Sequence, residues 1–196
     1  MDFSTIMRAL MFNNLYLDVG RYSYGKECSL LKLVLVALTK LGFWAVLNYR
    51  FGFYLREKTE KVPLLNILVR VITLLTKLCV EVLSGVSISY HSNIGGGILI
   101  AHFSNIIIGD GAVIGKGATL HQGVTIGVSG RGEKRGVPII GDNFFAGANA
   151  VIAGNITIGH DVAVSANSFV NCDIDAYSIV NNQQLRIVSL KGSQHV

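Results

Sequence analysis

The side chains best suited to proton transfer near neutral pH are histidines, and the 196-residue chain has five of them. The ordinary pKa of an imidazole lies near neutrality, so its neutral ring can accept a proton from a hydroxyl group. His195 stands close to the end of the sequence, and His91 and His160 are interpreted as polar turn residues. His102 and His121 remain as candidates for a general base, because both follow branched apolar residues in a regularly spaced series.

A second candidate feature is the glycine-rich, basic segment at residues 127–138, Gly-Val-Ser-Gly-Arg-Gly-Glu-Lys-Arg-Gly-Val-Pro. Its glycines predict an exposed loop, and its cations suit phosphate groups. The segment lacks the Lys-Ser/Thr ending of a P-loop, so it does not indicate that kind of nucleotide site. A plain solvated insertion is the alternative interpretation.

These candidates must be positioned by a six-residue repeat that fills the second half of the chain. Small or branched apolar residues recur at this spacing, with a two-residue slip after Ile100 and a longer gap after Ile126, at Ile88, Ile94, Ile100, Ile108, Ile114, Leu120, Ile126, Ile140, Ala146, Ile152, Ile158, Val164, Val170 and Ala176. Neither a helix nor a flat strand has this period. A short fixed repeat with glycine at the corners predicts a β-helix, in which three steps form one triangular coil of about eighteen residues.

The repeat carries a family resemblance. Residues 86–187 resemble the hexapeptide-repeat acyltransferases, and within them the serine acetyltransferase branch, through residues 87–102, 113–130, 140–148 and 185–188. The resemblance implies a left-handed coil, acetyl-CoA as co-substrate without a metal, and a homotrimer, or a dimer of such trimers, with active sites between subunits. It also implies that His102 is the catalytic base, with His121 as a second candidate lining the acyl groove.

The same resemblance implies where coenzyme A lies. Gly127 and Val128 would offer backbone N–H groups near the thioester, and Ala148 and Ala166 would lie beside the pantetheine arm. The candidates for the phosphate groups are Arg131, Lys134, Arg135 and Arg186.

Three departures from the serine enzymes bear on the acceptor. Ser87, Ala101 and Val137 stand where that branch carries aspartate, aspartate and histidine. We therefore expect a carbohydrate acceptor, in the manner of bacterial capsule and exopolysaccharide O-acetyltransferases of the colanic-acid type. The alternatives are a divergent serine O-acetyltransferase and a non-catalytic β-helical scaffold. A zinc site at His102 and His121, by analogy with β-helical carbonic anhydrases, is a weaker alternative.

The chain divides into a helical leader at 1–84, a β-helix at 85–188 and a flexible tail at 189–196. Ser29–Tyr54 and Val62–Leu83 are apolar but interrupted by charges, so neither is a clear membrane span. The leader has eleven Lys or Arg against six Asp or Glu, whereas residues 85–196 have six of each. Helix packing against the β-helix or between trimers, and peripheral contact with an anionic membrane, are both compatible with this pattern.

Composition narrows the remaining possibilities. No recognition motif accompanies the basic residues, so a nucleic-acid partner is not expected. Three scattered cysteines suit a reducing compartment. No secretory signal is evident at the start of the sequence. The expected location is the cytoplasm, including the inner face of the plasma membrane.

Overall fold

The computed structural model describes residues 3–23, 30–131 and 135–181 of the chain. Lys134, Arg186 and the predicted tail lie outside these residues. Four helices come first: α1 (Phe3–Tyr22), α2 (Leu30–Thr39), α3 (Leu41–Thr59) and α4 (Pro63–Ser84). Fourteen short strands follow within the described residues.

The strands form three parallel sheets, each running the length of the coil. The first sheet contains β1 (Val86–Ile88), β4 (Ile106–Ile108), β7 (Thr125–Gly127), β10 (Val151–Ala153) and β13 (Phe169–Val170). The second contains β2 (Asn93–Ile94), β5 (Val113–Ile114), β8 (Ile139–Ile140) and β11 (Thr157–Ile158). The third contains β3 (Leu99–Ile100), β6 (Thr119–Leu120), β9 (Phe145–Ala146), β12 (Ala163–Val164) and β14 (Ile179–Val180). Each strand pairs with the strand three along the chain or, in the last coil, two along, so the chain visits the sheets in turn, and the predicted β-helix is confirmed.

The core of the β-helix is a stack of the residues at the six-residue spacing. Ile108, Ile126 and Ile152 follow one another in register along the first sheet, and all three are buried. The prediction is wrong in the last coil, where Ala176 is not a strand residue. Ile174 and Val180 occupy the stacking positions instead, opposite Ile158 and Val164. The chain shortens one corner there, and a constant period cannot anticipate that change.

A break at Lys40 interrupts the apolar segment that the sequence suggested as the first long helix of the leader. The apolar segment Ser29–Tyr54 is not a single helix, because α2 ends at Thr39 and Lys40 takes an extended conformation with φ −123° and ψ 93°. Neither proline nor glycine occupies 38–41, so local propensity does not mark this break. It turns α3 so that Gly42 and Phe43 lie against the first coil.

Helix α4 begins and ends with signals that are visible in the sequence. Pro63 occupies its first turn, where a missing N–H costs nothing. Gly85 ends the helix in the left-handed region at φ 64°, and its N–H donates to the Glu81 carbonyl at 2.8 Å. The chain enters β1 at the next residue.

Side chains of the leader satisfy the backbone groups at the open edge of the first coil. The Tyr22 hydroxyl accepts from the Ile100 N–H at 2.9 Å, and the Tyr49 hydroxyl accepts from the Ile94 N–H at 3.2 Å. An unpaired strand edge is a site for aggregation, and these bonds close it. The helices therefore cap the β-helix.

A buried ion pair lies at the centre of this cap. The Arg50 Nε donates to Asp18 Oδ2 at 2.9 Å, and the guanidinium also donates to the Gly95 carbonyl at 2.6 Å. Asp18 Oδ1 accepts from the N–H groups of Gly97 and Ile98 at 2.7 and 3.0 Å. The pair thus fixes two helices and one turn of the β-helix together.

No helix within the described ranges is long and apolar enough to cross a membrane.

Candidate active site

His102 lies on an enlarged turn between the third sheet and the first. The two-residue slip of the repeat falls here, between Ile100 and Ile108, so the turn from β3 to β4 is longer than those of later coils. Ser104 and Asn105 accommodate it with φ angles of 105° and 52°, values that few residues adopt without a structural reason. The enlarged turn places the exposed His102 side chain on the outside of the prism.

The other turns from the third sheet to the first lie below it, coil by coil. We call this edge the histidine corner; within the described residues it comprises 101–105, 121–124, 147–150 and 165–168. His121, Ala148 and Ala166 therefore follow His102 along a single edge. Ala148 is half-buried and Ala166 is exposed, and their methyl groups leave room along this edge.

The two histidines are in contact. Their ring centroids are 5.4 Å apart in an edge-on arrangement, and His121 lies edge-on to Phe145 at 5.1 Å. Partial burial lowers the pKa of His121, and the neighbouring His102 lowers it further. His121 therefore favours its neutral form.

No hydrogen bond orients the His102 ring in the part of the chain that the structure describes. Ser87, a candidate orienting partner, is half-buried on β1 and pairs in register with Ile107 of the first sheet. The described ring in contact with His102 is that of His121, at an interplanar angle of 62°.

A cavity of about 220 Å³ opens beside His102. One wall is the turn from Ile100 to Phe103, and the other is the junction of α2 and α3, from Thr39 to Gly42. The leader therefore contributes to the site. Sequence reasoning missed these four residues, because the break at Lys40 that brings them to His102 has no local signal.

The predicted coenzyme A loop lies at a different edge. Gly127 is the last residue of β7, and Val128 and Arg131 belong to the turn from the first sheet to the second, which we call the loop corner. The loop folds as a hairpin, since Ser129 and Gly136 exchange two backbone hydrogen bonds of 3.1 Å. Val128 and Arg131 are exposed.

A full side of the prism separates the two corners within one chain. The strand β7 runs between His121 and Val128, a span of up to about 20 Å in extended backbone. His102 and the loop of the same subunit therefore do not form one compact site. The family resemblance implies active sites between subunits, which would bring the histidine corner of one subunit to the loop corner of another.

The three residues that depart from the serine enzymes, Ser87, Ala101 and Val137, do not lie together. Ala101 lines the cavity next to His102, whereas Val137 is half-buried at the loop corner, with a side-chain carbon 3.4 Å from where a Cβ at Gly111 would lie. In residues 3–23, 30–131 and 135–181, no three His, Cys, Asp or Glu side chains are placed to hold a metal ion.

No family model matches the chain. The chain is similar to the serine acetyltransferase of Staphylococcus xylosus, with 36% identity over 151 residues, covering 77% of this chain and 66% of that protein. The serine acetyltransferase of Synechococcus elongatus is 30% identical over 157 residues, covering 80% of this chain and 61% of the relative. The chain thus spans about three fifths of that relative's length.

A solved structure of a serine acetyltransferase has a similar fold. The crystal structure of Neisseria gonorrhoeae serine acetyltransferase superposes with a TM-score of 0.73 and 26% identity, covering 95% of this chain and 68% of that one. The match includes the helical leader as well as the β-helix, because it covers nearly the whole chain.

These comparisons confirm the serine-acetyltransferase-like fold of helices followed by a β-helix, and they support its left-handed sense. They do not support the expected capsule or colanic-acid character, since the relatives described above are serine acetyltransferases. The expectation of a carbohydrate acceptor rests on three missing ionisable side chains, whereas the overall similarity favours the alternative of a divergent serine O-acetyltransferase.

Proposed function

We propose that the protein is an acetyl-CoA-dependent O-acetyltransferase in which His102 is the general base. The observation that carries the proposal is the place of His102, on the enlarged turn, beside a cavity and at the head of an edge lined with small residues. The similarity to serine acetyltransferases supports the same chemistry.

The proposed reaction needs a general base and a hydrogen-bond donor for the oxyanion. A nitrogen of the His102 imidazole takes the acceptor's hydroxyl proton as the hydroxyl oxygen attacks the carbonyl carbon of the acetyl thioester. The carbon–sulfur bond then breaks, and the departing coenzyme A sulfur takes the proton from the imidazolium. A backbone N–H at Gly127 or Val128 of a neighbouring subunit would stabilise the oxyanion between these steps.

Coenzyme A would lie along the histidine corner, against Ala148 and Ala166, with the loop of the neighbour over it. Arg131 of that loop is exposed and can meet a phosphate group. A homotrimer provides this arrangement three times by symmetry, which is why we propose that state as the minimal active form.

Serine is the acceptor that the similarity favours, since the relatives and the superposed structure are serine acetyltransferases. A serine hydroxyl in the cavity beside His102 would lie next to the proposed base. A non-catalytic scaffold is less favoured, because it gives no reason for His102 to stand on an irregular turn.

A hydroxyl of a carbohydrate is the second candidate acceptor. The specific observation is that Ser87, Ala101 and Val137 carry no charge. Hydrogen bonds to charged groups contribute about 1.5–3 kcal/mol each, so their loss would weaken a site built for a free amino acid.

The experiment follows thiol release from acetyl-CoA with serine, with neutral sugars and with bacterial polysaccharides as acceptors. His102→Ala should lower kcat about a hundredfold or more with little change in KM for acetyl-CoA. His121→Gln is the matched control, and it should retain most of the activity. A crippled His121 variant beside an active His102 variant would reverse the assignment. Saturable acetylation of sugars but not of serine would favour the second acceptor.

A further inference from the structure

The cavity beside His102 has an uneven distribution of charge. Besides His102, its lining includes one ionisable side chain, Lys40, and no carboxylate. The other lining residues are Thr39, Leu41, Gly42, Ile100, Ala101 and Phe103. A hydroxyl acceptor that enters this cavity therefore meets the base and a cation together.

The position of Lys40 is fixed by packing of its neighbours. Gly42 lies so close to Ile100 that an added Cβ would be 2.8 Å from the Ile100 Cγ2. Phe43 is fully buried, and its ring contacts the Tyr22 ring edge-on with centroids 5.2 Å apart. The backbone of Lys40 is thus held at the cavity wall, and its long side chain is exposed.

The Lys40 ammonium has no ion-pair partner among the described residues, whose two ion pairs are Asp18–Arg50 and Lys77–Glu81. The Thr39 hydroxyl beside it already donates to the Leu35 carbonyl at 2.7 Å. Lys40 is therefore the group at this wall that is available to an anion.

Resting on the proposed function, we infer that Lys40 is a specificity-determining residue that binds a carboxylate of the acceptor while the acceptor's hydroxyl meets His102. The same wall has no carboxylate for an ammonium group. The site therefore selects a hydroxy acid and does not require the amino group of serine.

A matched set of small acceptors separates these features. Serine has a carboxylate and an ammonium group, 3-hydroxypropanoate has the carboxylate alone, 2-aminoethanol has the ammonium alone, and 1,3-propanediol has neither. We expect 3-hydroxypropanoate to be acetylated with a kcat/KM at least equal to that of serine. The two acceptors without a carboxylate should be about ten- to a hundredfold poorer.

Substitution at Lys40 tests the residue itself. Lys40→Met should raise KM for serine and 3-hydroxypropanoate about ten- to a hundredfold, leaving KM for acetyl-CoA and the kcat/KM for 1,3-propanediol nearly unchanged. Lys40→Arg should restore much of the loss. Lys116→Met, which removes an exposed lysine that does not line this cavity, is the matched control.

Binding of 3-hydroxypropanoate, measured by NMR titration without acetyl-CoA, gives a readout independent of turnover. Equal binding by the native protein and Lys40→Met would overturn the inference, and so would an equal loss of activity with all four acceptors. In both cases His102-dependent acetylation would still stand. A native protein that acetylates none of the four acceptors, yet binds 3-hydroxypropanoate through Lys40, would instead defeat serine as the proposed acceptor while the role of Lys40 in binding a carboxylate stands.

Discussion

At the scale of residues, the His102 ring contacts the His121 ring, and burial together with this contact lowers the pKa of His121. Two imidazoles in contact oppose each other's protonation, because a second positive charge would lie close to the first. The lowered pKa of His121 reduces that opposition. His121 is therefore biased toward its neutral form.

The coupling between the rings can be measured directly. In His102→Gln the pKa of His121 should rise, because the charge of His102 no longer opposes protonation, but it should stay below 6.5 because burial is the larger cause. NMR titration of the imidazole protons checks this. The neutral form of His121 is the one that folding favours, so its contribution to stability is complete above the ordinary pKa and declines as the pH falls below it. An unchanged His121 pKa would show that the rings do not interact.

At the scale of elements, the leader and the β-helix are joined by polar groups as well as by apolar packing. Asp18 and Arg50 are both buried, and the guanidinium also serves the edge of the first coil. Removal of one partner leaves an uncompensated buried charge, which typically costs about 3–5 kcal/mol.

Arg50→Met should therefore lower the free energy of unfolding by about 3 kcal/mol or more, measured by urea denaturation. The double variant Asp18→Asn/Arg50→Met should recover part of the loss, because no lone charge remains. The exposed substitution Lys116→Met is the control for non-specific effects and should change little. Equal stability of Arg50→Met and the native protein would mean that the pair is dispensable.

The element scale also shows what could be predicted from the sequence. The six-residue period predicted the β-helix because apolar residues recur at the positions that are buried in each coil. The two-residue slip after Ile100 coincides with the irregular turn that carries His102. The break at Lys40 could not be predicted, since no proline or glycine occupies 38–41 and the close approach of Gly42 to Ile100 joins residues distant in sequence. The last coil was misassigned for a related reason: Ile174 pairs with Ile158 across a shortened corner, and the period holds no information on corner length.

At the scale of the whole molecule, the separation of the two corners predicts shared active sites. We expect His102→Ala and Val128→Pro each to be nearly inactive alone, since the second removes a backbone donor of the loop. Refolding an equimolar mixture should restore about a quarter of native activity, because that share of sites pairs an intact histidine corner with an intact loop. Activity that stays at the level of the single variants would place both corners of the site within one subunit. Light scattering should give the mass of a trimer or of a dimer of trimers.

The outer face of α4 raises a second question of assembly. Leu64, Leu68, Val71, Leu75, Leu78 and Val82 are exposed along one side of this helix, without a charge among them. The cations of α4 lie on the other side: Arg70 donates to Asn66, and Lys77 pairs with Glu81 beside the Tyr90 ring. A membrane-surface helix normally combines its apolar face with flanking basic residues. The charge excess of the leader is not arranged in that way on α4, so we expect other copies of the chain to cover its outer face.

Leu68→Glu/Leu75→Glu should therefore reduce the mass of the assembly, because two buried charges would oppose packing of the outer face. Analytical ultracentrifugation over a range of protein concentrations measures the change. Arg70→Gln, on the opposite side of the same helix, is the control and should leave the mass unchanged. Flotation with anionic liposomes at low and high salt tests the rival occupant. If the native protein floats at low salt, and the double variant stays at the bottom while keeping its native mass, then α4 contacts the membrane and not another copy of the chain.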